Sequence, residues 1–75
     1  MNPPKRRAVD WQRVGERLRE LRGTKTQGEF ARELGISQGQ LSRYESGKSE
    51  IGPEVLLRIS ENFRKGIEWI LTGKA

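Results

Sequence analysis

The sequence predicts an all-α fold, a compact bundle of five short helices, on three observations. Apolar residues recur at helical spacing in two separate stretches, Trp11, Val14, Leu18 and Leu21, then Val55, Leu56, Ile59 and Phe63. Between them, Thr26 with Glu29 and Ser37 with Gln40 each set a small hydroxyl three residues before Glu or Gln, the pattern of a reciprocal capping box at a helix start. Gly35 stands between those two starts, where a left-handed residue ends one helix. About three residues then connect it to the next, the helix-turn-helix spacing.

Residues 1–9, with Pro3-Pro4 and Lys5-Arg6-Arg7, have no apolar period and are expected to be a flexible basic N-terminal arm. Such an arm either follows nucleic-acid phosphates or is a solvated tail. Residues 10–73 make the single expected domain. Asp10 caps a first helix to about Arg22, with Val9 and Val14 placed as a hydrophobic staple; Arg13, Glu16, Arg17, Arg19 and Glu20 take the outer faces, and Gly23 ends the helix.

The second helix, from about Gln27 to Leu34, buries Phe30, Ala31 and Leu34, and the small Ala31 admits close approach of the third. Gly28 costs about 1 kcal/mol against Ala in a helix, yet near the N-terminus it leaves free amides open to a phosphate. On the third helix, with Gln38 as origin and 100° per residue, Leu41 and Tyr44 centre a core face near about 270°. The opposite face carries Gly39, Ser42 and Arg43, with Gln38 at its edge and Gln40 turned towards the core rim. That face is polar with a single charge, unlike the Lys/Glu surfaces that only keep helices solvated.

Ser46-Gly47-Lys48-Ser49 ends the third helix, and Gly52-Pro53 opens a fourth with proline in its favoured first turn. Arg64-Lys65-Gly66 is a polar break, and a fifth helix from Ile67 to Leu71 completes the core before Gly73.

Seventy-five residues leave room for one domain, and the absence of Cys and His removes disulfides and the usual zinc ligands. No metal and no cofactor are expected. The net charge is +5, and its excess is local. Residues 1–48 hold eleven Lys/Arg against six Asp/Glu, whereas residues 49–75 hold four of each. An anionic partner follows, nucleic acid or membrane surface alike. No apolar run approaches the roughly 20 residues of a membrane span, and Lys5-Arg6-Arg7 precedes no signal-peptide core. A cytoplasmic protein is expected.

Two motifs match by letters only. Gly35-Ile36-Ser37-Gln38-Gly39 spells a nucleophile elbow, but that device needs a strand, a large sheet and a histidine base. Gly47-Lys48-Ser49 ends like a phosphate-binding loop, but its first glycine would fall at Ser42. With no nucleophile–base pair or metal set, no enzyme is expected.

The ordered run from Thr26 to Lys48, Thr-Gln-x-Glu-Phe-Ala-x-x-Leu-Gly-Ile-Ser-x-x-x-Leu-Ser-x-Tyr-Glu-x-Gly-Lys, resembles the Xre/Cro/phage-repressor family of helix-turn-helix DNA-binding domains. Glu68-Trp69-Ile70-Leu71-Thr72-Gly73 is similar to that family's closing stretch, so the resemblance covers roughly residues 14–73. It implies a lambda-repressor-like bundle in which helices 2 and 3 form the helix-turn-helix, with a link after Arg22 about two residues shorter than is common.

By position, the resemblance implies that Gln27 braces a backbone contact and Gln38 reads adenine through an amide pair at N6 and N7. Arg43 becomes a reader of guanine O6 and N7, or a phosphate clamp. Gln40 and Ser42 are further DNA-binding candidates, and Lys48 a phosphate contact. Gly39 departs from the family, which usually carries a reading side chain there, and Glu50 and Glu54 put acid where some relatives are basic. Arg22 and Glu45 match a partly buried structural ion pair joining the first and third helices.

These resemblances imply a sequence-specific regulator of transcription bound to double-stranded DNA, a repressor by preference, bacterial or phage-encoded and nucleoid-associated. One module reads about half a site, so a homodimer on a pseudo-palindromic operator is expected, with Ile67, Ile70 and Leu71 as contact candidates where exposed. Two alternatives stand beside it. One is the DNA-binding antitoxin of a toxin–antitoxin pair, and the other a helix-turn-helix module used only for protein interaction.

Overall fold

The computed structural model describes residues 8–74, and the basic run Lys5-Arg6-Arg7 lies outside them. Five helices follow in order, with no strand among the described residues: α1 (Trp11–Arg22), α2 (Gln27–Leu34), α3 (Gln38–Glu45), α4 (Pro53–Phe63) and α5 (Ile67–Thr72). The all-α expectation holds element by element.

Each helix end has a local cause. The Asp10 side chain accepts a hydrogen bond from the Arg13 amide at 3.2 Å and starts α1. Thr26 and Glu29 close the expected reciprocal box on α2: the Glu29 amide donates to Thr26 Oγ1 at 3.1 Å and the Thr26 amide to Glu29 Oε1 at 2.9 Å. The second box is only half formed. Ser37 Oγ accepts from the Gln40 amide at 3.0 Å, but the Gln40 side chain donates to Tyr44 Oη at 2.8 Å instead of returning to the cap. A Gln amide on the core rim gains the hydroxyl of the buried Tyr44 there, which outcompetes an exposed backbone amide.

Helices α2 and α3 stop in the same way. Gly35 (φ 71°) and Gly47 (φ 76°) take left-handed backbone, and the amides of Ile36 and Lys48 reach back to the carbonyls of Ala31 and Arg43 at 3.0 and 2.9 Å. At the end of α4 the left-handed position is held by Arg64 (φ 53°), although a Cβ is disfavoured there.

The core is one cluster: Val14 and Leu18 of α1, Phe30, Ala31 and Leu34 of α2, Leu41 and Tyr44 of α3, Val55, Leu56 and Ile59 of α4 and Ile70 of α5, joined by Ile51 from the loop before α4. Val9, Trp11, Leu21, Phe63 and Trp69 pack partly buried around it, and the Phe30 and Phe63 rings meet tilted with centroids 5.6 Å apart.

Two arginines bend back onto helix ends, Arg17 in departure from the outer face expected of it. Arg17 bends onto the end of α5, where Nη1 donates to the Ile70 carbonyl at 2.9 Å. Arg58 of α4 does the same for α2, donating to the Leu34 carbonyl at 2.9 Å. Both satisfy carbonyls that a helix end leaves without partners. Ile70 is fully buried, so it leaves the set of surface candidates for self-association; Ile67 remains exposed and Leu71 half-buried.

Candidate nucleic-acid interface

The placement of α3 begins with a glycine. A Cβ built on Gly15 of α1 would stand 2.6 Å from the Tyr44 carbonyl oxygen, so only glycine admits the backbone of α3 at this distance. Gly47 repeats the device one turn further on, where a Cβ would stand 2.8 Å from Cα of Gln12. These contacts hold the C-terminal half of α3 against α1.

An ion pair fixes the rotation of α3. Arg22 Nε donates to Glu45 Oε2 at 2.7 Å and Nη2 to Oε1 at 3.0 Å, a two-pronged contact across α1 and α3. Glu45 is 3% exposed and is the one buried charged residue among the described residues. The hydrogen bond to Glu45 raises the Arg22 guanidinium above its ordinary pKa, against a smaller opposing effect of desolvation. Arg22 Nη1 also donates to the Lys25 carbonyl at 3.1 Å, so the short link after α1 closes around the same guanidinium.

Gln27 joins this network, with Nε2 donating to Glu45 Oε1 at 3.0 Å. The first residue of α2 is thereby tied to the last residue of α3. Burying Leu41, Tyr44 and Glu45 turns the other face of α3 outward, and Gln38, Gly39, Gln40, Ser42 and Arg43 are all exposed. Lys48, exposed beyond the helix, is held by its amide on the Arg43 carbonyl.

The structure therefore brings Gln38, Gly39, Ser42 and Arg43 to one exposed helical face and sets Lys48 at its end. Gln38 leans towards α2, its Oε1 lying 3.6 Å from where a Gly28 Cβ would be. Around Gly39 nothing stands within 4 Å of such a Cβ. Gln27 and Gln40 are placed differently: the amide nitrogen of each is engaged inside the protein, on Glu45 and Tyr44 respectively. Glu50 lines a cleft with Gly39, Gln40, Arg43 and Tyr44, a proximity that helix periodicity could not supply because Glu50 lies in the loop.

Among the described residues no group of His, Cys, Asp or Glu is arranged to hold a metal ion, and no helix is long and apolar enough to cross a membrane. The exposed polar helix, the buried pair behind it and the tight turn from α2 define a helix-turn-helix domain. The helix-turn-helix family model matches residues 16–70, and the chain belongs to that Xre-like family. A stretch of 52 residues is 44% identical to Antitoxin PezA of Streptococcus pneumoniae serotype 4, covering 67% of this chain and 33% of that protein. The chain thus spans about a third of the length of this curated relative. No solved structure matches it significantly.

Proposed function

We propose that this domain is a sequence-specific regulator of transcription that lays α3 in the major groove of double-stranded DNA. The observation that carries the reading is the outward face of α3, where Gln38, Ser42 and Arg43 are exposed together while the other side of the helix is locked by Leu41, Tyr44 and Glu45. A helix held so rigidly can present amide and guanidinium donors to base edges at fixed spacing. The free amides of Gln27 and Gly28 at the start of α2 suit a phosphate, and Lys48 suits another.

In this reading Gln38 takes adenine, Arg43 guanine, and Gln27, Ser42 and Lys48 the backbone. Two copies bind a pseudo-palindromic operator in the bacterial cytoplasm, and the exposed Leu57 (50%) and Ile67 (38%) offer apolar surface for their contact. Repression follows from occupying the operator. Selection of bound duplexes from a random pool, followed by binding at several salt concentrations, tests it. One enriched half-site motif with strong salt dependence is expected; no enrichment and no salt dependence would leave only a protein-interaction module.

The identity with Antitoxin PezA favours a second reading, that this DNA-binding domain belongs to an antitoxin. A toxin would then be the partner, and it would co-purify tightly with the full-length protein at a fixed stoichiometry. A protein that purifies alone and still represses its operator would favour the simple repressor.

A further inference from the structure

Glu50 is an acid beside the outward face of α3, and it shares its cleft with Arg43, one of the base-reading candidates. Arg43 and Glu50 both line this cleft with Gly39, where an added Cβ would meet nothing within 4 Å. Gln40, which could have filled the space, is drawn back onto Tyr44 Oη. The ion pairs of the described residues are Arg13–Glu16, Arg22–Glu45 and Lys25–Glu33, so Arg43 and Glu50 share a cleft without closing on each other. Both heads remain available to a ligand.

A carboxylate is acceptor-only and is repelled by phosphates, so it is tolerated in a DNA groove where it receives a hydrogen bond. Cytosine N4 is the amino donor that carboxylates take on the major-groove edge. A G·C pair sets that donor beside guanine O6 and N7, the acceptors a guanidinium takes. The cleft offers complementary chemistry, one cation and one anion lining the same space with no side chain at position 39.

We infer that Glu50 is a specificity-determining residue that accepts a hydrogen bond from a cytosine amino group within one base pair of the guanine bound by Arg43. This rests on the DNA-binding reading above and adds a contact that the recognition helix does not itself contain. Glu50 also disfavours sequences lacking that cytosine, because its charge then faces the groove unpaired.

The test is selection from a random duplex pool with the parent, Glu50→Ala, Arg43→Ala and, as a control from the start of α4, Glu54→Ala. The parent and Glu54→Ala should demand cytosine beside the Arg43-dependent guanine, and changing that pair should weaken them about 10-fold or more. Glu50→Ala should lose that preference to within about 3-fold, keep the guanine preference that Arg43→Ala loses, and bind random DNA more tightly. Uniformly tighter binding by Glu50→Ala with an unchanged base preference would overturn the inference, leaving Glu50 an electrostatic bystander. A parent that enriches no sequence overturns the DNA reading itself, and this inference with it.

Discussion

The Cβ that Gly15 lacks would stand 2.6 Å from the carbonyl oxygen of Tyr44, inside any permissible carbon–oxygen contact, and the obstacle is the backbone of α3. Gly15→Ala should therefore push α3 off α1. We expect a loss of about 2–3 kcal/mol in urea unfolding, the upper part of the range for overpacking, although alanine is the better helix former. An unfolding midpoint equal to the parent's would mean that the α1–α3 approach does not depend on the missing Cβ of Gly15.

Glu45 accepts from Arg22 and Gln27 with a side chain only 4% exposed. Glu45→Ala should cost about 3 kcal/mol, whereas an exposed glutamate at a helix end would cost well under 1. Pairing Arg22→Met with Glu45→Leu should recover much of the loss, because an apolar pair has no charge to desolvate. Since the pairing raises the Arg22 pKa, its contribution is complete at neutral pH and disappears only as pH climbs through the raised, strongly alkaline value. The midpoint difference between parent and double variant should then be flat between roughly pH 6 and pH 9. An intact Glu45→Ala midpoint would release Arg22 from any structural role.

Gln38 and Arg43 are exposed, and among the described residues no hydrogen-bond partner holds their heads. Replacing either by alanine should cost about 1–3 kcal/mol on a selected site, relax the choice at one base pair and leave random-DNA affinity nearly as it was for Gln38. Lys48→Ala should weaken specific and random DNA alike and lower the salt slope by roughly one. Titrations at several salt concentrations separate the two kinds of contact, and an unchanged slope would strike Lys48 from the phosphate contacts.

Arg64 occupies a left-handed position at the end of α4, φ 53°, where its Cβ is a liability and, among the described residues, no hydrogen bond of its side chain offsets the cost. Arg64→Gly should raise stability by about 0.5–1 kcal/mol. A destabilised variant would indicate that the arginine side chain contributes more than the backbone costs.

Much of this architecture was legible because it is written locally. Capping hydroxyls, left-handed glycines and helical apolar periods act over four residues, and they placed every helix within a residue of its observed end. The outward face of α3 followed from the same period, since Leu41 and Tyr44 left it no other orientation. What was not legible depends on distant partners. Arg17 and Arg58 look like solvent cations until α5 and α2 bring carbonyls to them. Gly15 looks like an ordinary weak helix residue until α3 lies across it. The side chain of Gln40 had two possible partners, the cap of its own helix and a tyrosine hydroxyl one turn on, and only packing decides between them. Glu50 joins Arg43 because the loop folds back, which no period encodes.

Gly39 has a consequence for how such a regulator changes targets. A new side chain there meets open space, disturbs no core atom and improves on glycine's helix propensity by up to about 1 kcal/mol. Most surfaces that determine a partner are also built into the fold, so altering them risks losing both. If α3 reads DNA as proposed, one codon would rewrite the address that the protein visits while the scaffold gains stability. On that proposal, gene duplicates would separate onto different operators by a single step, with no unstable intermediate between them.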